Sequence, residues 1–273
     1  MPLYFTDKKR RWPPSKPVQY IAACTLLVIG LIVLGSWLFV RFVYTESDPA
    51  DQTPQDPSIV DINDLPETSY CLIIVEDDGY ERFALVKTSP KEASVSVAPL
   101  SPMTETEDGR LYSLLKKYGP SRTTQAIARK LGLPSLHYMA FSTDDVEILF
   151  TRLGESLQFH VPEEVTYTDE NGATIRLETG SHKLTPTQIA SLLRYTKWEN
   201  KDNEAALASD ITAAAINQCL RPDKSLKGYF ELLSNTSVTD LRIDQFNAYR
   251  SGMEYLANNN DGTIAKHTDK IVP

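Results

Sequence analysis

Residues 70–99, YCLIIVEDDGYERFALVKTSPKEASVSVAP, contain three short apolar runs separated by turn residues. The runs are Tyr70–Glu76, Arg82–Thr88 and Ala93–Pro99. Asp78-Gly79, between the first two runs, is a typical hairpin turn signal. In the third run Val95 and Val97 alternate with serines, as in a strand that buries one face. These residues therefore predict three adjacent strands at the centre of a sheet.

The residues after this sheet alternate between predicted helices and strands. Ser142 is a helix cap ahead of apolar residues at i, i+3, i+4 and i+7 spacing, and Gly154 ends that helix. Thr185 and Gln188 form a capping box, with Pro186 at the first helical position. The other predicted helices are Pro120–Leu131, Asn203–Leu220, Leu226–Leu233 and Val238–Leu256, and the other predicted strands are Leu136–Phe141 and the runs LQFHVP, EVTYTD and TIRLET. Strands that come first and then mix with helices indicate one α/β domain of about 200 residues.

Two of these helices have apolar stripes that predict core positions. In the helix that Thr185 caps, the stripe is Ile189, Leu192, Leu193 and Thr196. In the next helix it is Leu207, Ile211, Ala215 and Cys219, at four-residue steps. We interpret both stripes as core residues. A tunnel for a lipid chain would produce the same sequence pattern as ordinary packing.

The N-terminal region contains a long apolar stretch. Tyr20–Val40 has no charged side chain, and a helix of this length at about 1.5 Å per residue spans a bilayer core of roughly 30 Å. A cleaved signal peptide would have a shorter apolar region of about 7–15 residues and a small-residue cleavage site. Five Lys/Arg residues precede the stretch and only Arg41 follows it closely, which favours a cytoplasmic N-terminus. We expect a cytoplasmic basic tail over residues 1–17, a single-pass membrane anchor over 18–44 and an extracytoplasmic remainder.

The region beyond the anchor is acidic. Residues 1–44 hold six of the 28 basic and one of the 36 acidic residues, which leaves 22 basic and 35 acidic residues and a net charge of −13. A surface that follows a phosphate backbone needs clustered cations, so we expect no nucleic-acid partner. Residues 45–68 are rich in Pro, Asp and Gln and predict an extended acidic linker ahead of a domain over 69–273.

Cysteine and histidine positions give no metal-binding or catalytic pattern. Cys71 and Cys219 lie beyond the anchor, where a disulfide is chemically allowed, and the alternative is two separately buried thiols. The four histidines are scattered and are interpreted as structural or surface residues. They are His137, His160, His182 and His267.

The order and spacing of several segments resemble the LytR–CpsA–Psr family of bacterial envelope proteins. The segments are LIIVEDD, FALVKTSPKEASVSVAP, LPSLHYMAFSTDDVEILFTRLG, FHVPEE and LETGSHKLTPTQIASLLRY, within roughly residues 70–220. The resemblance implies a three-layer α/β/α domain that faces the cell wall and transfers glycopolymers from undecaprenyl pyrophosphate to peptidoglycan. It also implies an apolar tunnel for the polyprenyl chain, arginines on the pyrophosphate and a magnesium ion held by acidic residues. Arginine suits this role because its guanidinium group binds phosphate oxygens bidentately.

Several positions depart from the family's arginine pattern. The family's third strand ends in a Ser-Ile-Pro-Arg-Asp type of motif, and the matching VAPLS has Leu100 for the arginine and Ser101 for the aspartate. The family's Arg-x-Arg pair falls on Arg194 and Thr196. Its Asp-x-x-Arg-x-x-Arg-Gln motif falls on Asp202, Ala205, Ala208 and Ser209. Four expected arginines are therefore replaced.

The remaining candidate pyrophosphate-binding residues are Arg194 and Lys197. Lys197 would act as a point charge rather than a fork. Arg194 also fits a purely structural role, because a cation is favoured at the C-terminal end of a helix. The positions that resemble the family's metal ligands are Asp77 and Glu81, and Mg²⁺ binds proteins through one or two carboxylates together with substrate phosphates.

Three functions are consistent with this sequence. The replaced arginines favour a membrane-anchored envelope pseudoenzyme, because losing one charge-stabilising group typically costs about 10²–10³-fold in rate. Such a protein would bind a polyprenyl lipid, a wall glycopolymer or another envelope protein and act in binding or regulation of envelope assembly. The alternatives are a divergent but active glycopolymer phosphotransferase and an envelope scaffold that acts through protein contacts. The bilayer is an expected partner in all three.

Overall fold

The computed structural model describes residues 61–76, 81–154, 156–168 and 172–268. The predicted tail and anchor, residues 45–60 of the linker and the Asp78-Gly79 turn lie outside these ranges. Among the helices that are described, none combines the length and the apolar character needed to cross a membrane.

The described residues form strands and helices in a mixed order. The strands are β1 Thr68–Val75, β2 Glu81–Ser89, β3 Ser94–Leu100, β4 Glu105–Thr106, β5 Gly109–Arg110, β6 His137–Ser142, β7 Leu157–Val161, β8 Val165–Thr168, β9 Thr174–Leu177, β10 Gly180–Leu184, β11 Val238–Thr239 and β12 Ala265–His267. The helices are α1 Leu111–Leu131, α2 Thr143–Leu153, α3 Pro186–Arg194, α4 Lys201–Cys219, α5 Leu226–Thr236 and α6 Ile243–Asn258.

A mixed six-stranded sheet forms the centre of the domain, in the order β11-β6-β1-β2-β3-β12. The pairs β1–β2 and β2–β3 are antiparallel, whereas β6 and β12 run parallel to β1 and β3. The prediction of three adjacent central strands is therefore confirmed. The outer strands β6, β11 and β12 come from later parts of the chain, which also contain the helices that cover the sheet.

Helices cover both faces of this sheet. Because successive strand residues point to opposite faces, Cys71 and Ile73 of β1 pack with α1 on one side. Leu72 and Ile74 face the other side, where α2 to α6 pack. The result is a mixed α/β fold, as the sequence predicts.

Two of the predicted helix starts, those at Ser142 and Thr185, are confirmed by their capping bonds. The Ser142 hydroxyl accepts a hydrogen bond from the Asp145 amide at 3.1 Å, and the Asp145 carboxylate accepts one from the Ser142 amide at 2.8 Å. Thr185 and Gln188 make the same reciprocal pair at 3.3 and 2.9 Å. These caps depend on residues three positions apart, which is why the sequence alone reveals them.

Several element boundaries differ from the prediction. Helix α1 begins at Leu111 rather than Pro120, and Gly119, at φ 77°, interrupts it with a left-handed residue. Helix α3 ends at Arg194, so Thr196 lies outside the helix and is not part of its inward stripe. Helix α6 begins at Ile243, because Val238–Thr239 instead pairs with β6 as a sheet strand. Strand β10, which pairs with β7, has no counterpart in the prediction.

The two described cysteines, Cys71 and Cys219, are not joined to each other by a disulfide. Cys71 is fully buried, and burial raises the pKa of its thiol to about 12 from an ordinary value of 9.0. Cys219 is half-buried on α4. The structure therefore selects the separate-thiol alternative over the disulfide.

Cys71 should be almost inert towards alkylation in the folded protein. The thiolate is the reactive species, and raising the pKa from 9.0 to about 12 lowers the thiolate fraction at pH 8 roughly a thousandfold. We expect iodoacetamide to modify Cys71 about a thousand times more slowly in the native chain than in urea, as followed by residue-resolved mass spectrometry. Native and unfolded rates within tenfold of each other would contradict this burial.

Candidate functional site

An apolar cavity of about 300 Å³ lies between one face of the sheet and helices α2, α4, α5 and α6. Tyr70, Leu72 and Ile74 of β1 and Met139 and Phe141 of β6 form its floor. These residues share one face because they alternate along two neighbouring parallel strands. The helices close the other sides with mostly apolar side chains.

Small side chains on α4 contribute to this open space. Thr212, Ala215 and Cys219 line the cavity on the side opposite the sheet. Leu207 and Ile211 are buried core residues as predicted, and the half-buried Ala215 packs against the same core cluster. Ile211, Ala215 and Cys219 also line the cavity. The predicted stripe is therefore fully buried at Leu207 and Ile211 and only partly buried at Ala215 and Cys219.

The cavity is large enough for part of an apolar chain. An apolar cavity of about 150 Å³ holds one benzene molecule, so twice that volume accommodates roughly a dozen carbon atoms. Small-molecule sites in proteins occupy about 300–1,000 Å³, and this cavity lies at the lower end of that range.

One end of the cavity adjoins a group of charged residues. Ile74, Leu193 and Val146 line the cavity, and the charged residues Glu76, Arg194 and Asp144 each lie within two positions of one of them along the chain. Arg194 follows Leu193, and its guanidinium group forms an ion pair with Asp144 and a longer one with Glu76, at 3.9 Å. The candidate pyrophosphate-binding arginine is thus held between two carboxylates, and its side chain is 26% exposed.

A second arginine at this end, Arg82, is buried. It pairs directly across the β1–β2 ladder with Ile74, so its side chain points to the cavity face of the sheet. Its three guanidinium nitrogens donate to the carbonyl oxygens of Leu193 at 3.1 Å, Tyr195 at 3.0 Å and Glu204 at 2.9 Å. Arg82 therefore ties β2 to the end of α3 and the start of α4.

Sequence reasoning did not identify Arg82 as a site residue. The resemblance placed it only beside the candidate ligand Glu81. A local signal was present, because Arg82 has the same strand phase as Ala84 and Val86, which are both buried. An arginine on the inward face of a strand needs bonding partners inside the protein.

The positions where the resemblance expects other arginines are dispersed. Leu100 lies on the opposite face of the sheet and packs with α1. Ala208 is a core residue with 2% exposure, whereas Ala205 is exposed on α4. Thr196 is half-buried and Lys197 is exposed, both in the segment between α3 and α4. Of the two candidate phosphate-binding residues, Arg194 is engaged with Asp144 and Glu76, whereas the Lys197 side chain forms no hydrogen bond or ion pair with the residues that the structure describes.

The N-terminal end of α4 is bonded to a carboxylate from the same chain. Glu163 accepts hydrogen bonds from the Glu199 amide at 2.6 Å, the Asn200 amide at 3.2 Å and the Asn203 side chain at 3.0 Å. Partial desolvation favours a higher pKa for Glu163, but these three hydrogen bonds outweigh it and lower the pKa. A helix N-terminus attracts anions, and here an internal carboxylate takes that position.

The candidate metal ligands are Asp77, which lies outside the described residues, and Glu81. Glu81 is half-buried; desolvation raises its pKa, and the Lys116 charge lowers it only in part. A raised pKa disfavours the ionised carboxylate that Mg²⁺ requires. Within the described ranges no three His, Cys, Asp or Glu side chains are grouped closely enough to hold a metal ion.

No protein-family model matches the sequence, and no curated protein does. Several solved structures have a similar fold. A proposed transcription regulator of Eubacterium siraeum is 17% identical, with a TM-score of 0.65 over 74% of this chain and 81% of that one. B. subtilis TagV is 15% identical, with a TM-score of 0.60 over 74% and 84% of the two chains.

TagT, in a structure with bound LIIa-WTA, is 12% identical, with a TM-score of 0.54 over 74% of this chain and 77% of that one. TagT and TagV, like TagU, are proteins of the LytR–CpsA–Psr family. At these sequence identities the comparison shows a similar fold only. The resemblance predicted from the sequence is therefore confirmed for the fold. The domain described here therefore shares its fold with the LytR–CpsA–Psr proteins TagT, TagU and TagV.

Proposed function

We propose that this protein is a membrane-anchored cell-envelope protein that binds an apolar chain, such as a polyprenyl lipid, without efficient pyrophosphate transfer. On this view it acts in the binding or regulation of envelope assembly. The observation that carries the proposal is an apolar cavity of about 300 Å³ whose charged end holds arginines already bonded to the protein's own oxygens. The fold shared with TagT, whose structure contains LIIa-WTA, supports a lipid-linked glycopolymer as the ligand class.

The electrostatics of the charged end support loss of transfer activity. Pyrophosphate transfer is accelerated by cations placed to stabilise developing negative charge. Arg82 is committed to three carbonyl oxygens and Arg194 to Asp144 and Glu76. A pyrophosphate would have to displace these partners and would also approach two carboxylates, those of Glu76 and Asp144.

The second candidate function is a divergent but active phosphotransferase. It is favoured by one observation, which is that Arg82 and Arg194 both lie at the same end of the cavity. If substrate binding displaced Asp144, the Arg194 fork would be available to a phosphate group.

Transfer activity separates the two candidates. We expect the full-length chain in detergent to move a glycan from a lipid pyrophosphate donor to peptidoglycan at less than about a thousandth of the TagT rate. Extraction of the purified protein with organic solvent, followed by mass spectrometry, should recover an apolar chain that was bound in the cavity.

Arg194→Ala provides the control for that measurement. A rate similar to that of TagT, abolished by Arg194→Ala but retained in Arg176→Ala, would show that the protein is an active transferase. Arg176 is a suitable comparison because its side chain is 65% exposed and pairs with Glu164.

A further inference from the structure

Three polar residues form a hydrogen-bonded array at the end of the cavity opposite Arg194. His137, at the start of β6, is buried, and its Nδ1 lies 3.4 Å from Oδ2 of Asp240. Its Nε2 lies 3.3 Å from the hydroxyl oxygen of Tyr249. The Tyr138 amide donates to the other Asp240 oxygen at 2.9 Å, which fixes the carboxylate beside the ring.

The array is placed at the cavity by the register of the sheet. His137 pairs with Tyr70 across the parallel β1–β6 ladder, and Phe141 pairs with Ile74 at the other end of the same ladder. Tyr70 and Tyr249 both line the cavity, and their rings lie 6.1 and 5.8 Å from the His137 ring. The cavity floor therefore runs from a tyrosine–histidine end to the end that adjoins Arg194.

Tyr249 has hydrogen-bonding capacity beyond its bond to His137. A phenolic hydroxyl donates one hydrogen bond and can accept others. Because the Asp240 carboxylate accepts from Nδ1–H, neutral His137 accepts at Nε2, so Tyr249 donates to it and keeps an acceptor position. Protonated His137 would donate from Nε2, so the Tyr249 hydroxyl would then be available as a donor.

We propose that Tyr249, held by His137 and Asp240, binds the hydroxyl group of a single-chain lipid alcohol that occupies the cavity. An alcohol can both donate and accept, so it matches Tyr249 in either protonation state of His137. The inference rests on the proposed function, because it assumes that the cavity takes an apolar chain. It adds a ligand class and a binding direction, in which the polar end lies opposite Arg194.

The charges near Tyr249 favour a neutral polar group over a fatty acid. The Asp240 carboxylate lies beside the His137 ring that contacts Tyr249, and Tyr70 also lines this end of the cavity. Burial of Tyr70, as the largest cause, raises the pKa of its phenol, which keeps this wall uncharged at neutral pH. A second carboxylate would be repelled by Asp240 and would need protonated His137.

The test compares three probes of a length that fits the volume. 1-Dodecanol, n-dodecane and dodecanoate each have twelve carbons, and the competition of each with the apolar dye N-phenyl-1-naphthylamine is measured on the full-length protein. The measured quantity is the affinity for dodecanol divided by that for dodecane. One hydrogen bond corresponds to a change of about three- to tenfold, so we expect this ratio to fall by that factor in Tyr249→Phe.

Tyr229→Phe is the matched control, because Tyr229 lines the same cavity on α5 outside the array. Its ratio should equal that of the wild type. Asp240→Asn provides a second variant that leaves the phenol in place and should lower the ratio less than Tyr249→Phe. Thermal melting of each variant verifies the fold.

The outcomes separate the inference from the proposed function. An unchanged ratio in Tyr249→Phe, or tighter binding of dodecanoate than of dodecanol, would overturn the tyrosine site while leaving a lipid cavity. Failure of all three probes to displace the dye would overturn the lipid-binding proposal and this inference with it.

Discussion

Replacing Arg82 with alanine is expected to lower the free energy of unfolding by about 3–5 kcal/mol. Three carbonyl oxygens, on Leu193, Tyr195 and Glu204, would each lose the hydrogen bond from Arg82, although the Tyr195 oxygen keeps a second bond from the Trp198 indole N–H at 2.8 Å. A hydrogen bond from a charged group typically contributes about 1.5–3 kcal/mol, and such contributions are less than additive within one network. The substitution would also detach β2 from the segment that joins α3 and α4.

Arg194→Ala is the control for this measurement, because it removes the other arginine at the same end of the cavity. Arg194 is partly exposed and held by ion pairs, which typically contribute about 0–1 kcal/mol at a protein surface. Urea denaturation of both variants, followed by circular dichroism, should therefore give very different midpoints. Arg82→Lys should remain well below the wild type, because a single ammonium group cannot reach three carbonyls as the guanidinium fork does.

Equal destabilisation by the two alanine variants would contradict the assignment of Arg82 as the structural arginine. It would mean that the Arg194 pairs hold this end of the cavity as firmly as the Arg82 hydrogen bonds do.

Ala215→Trp is expected to weaken binding of an apolar chain by nearly a hundredfold. Ala215 lines the cavity on α4, and an indole ring is larger than the benzene that fills about 150 Å³. It would therefore occupy at least half of the available volume. A ligand that loses about 100 Å² of buried apolar contact loses about 2.5 kcal/mol, which is close to a hundredfold in affinity.

Ala205→Trp is the matched control, since Ala205 lies on the same helix but is exposed. Dye titration of the full-length protein should show wild-type affinity in Ala205→Trp and a large loss in Ala215→Trp. Loss of binding in both variants would point to a general disturbance of α4. Retention in both would show that the ligand binds elsewhere.

Features that depend on residues a few positions apart could be predicted from the sequence. The capping boxes at Ser142 and Thr185 formed where expected, and the alternation of Val95 and Val97 correctly marked the buried face of β3. The start of α1 was missed because its first segment, up to Gly119, continues into a second one across a left-handed break. The sequence predicts that Val238–Thr239 begins a helix, but these residues form a strand because they pair with β6.

The candidate site depended on contacts between distant residues. The resemblance selected Arg194 as a candidate pyrophosphate-binding residue, and only the fold places Asp144 and Glu76 against it. The array of His137, Asp240 and Tyr249 joins residues that are 103 and 112 positions apart. The sequence marked this histidine only as structural or surface-exposed.

The sequence by itself determined the central strands, most of the helices and the resemblance to an envelope family, because local patterns of burial and capping specify secondary structure. Only the tertiary structure shows that Arg82 is buried and hydrogen-bonded to backbone carbonyls rather than exposed at the surface, because its partner Leu193 is 111 residues away in the sequence. It also decided that Ala215 borders a cavity as well as the packed core. Empty volume is set by what every surrounding element leaves unfilled, and no single stretch of chain encodes it.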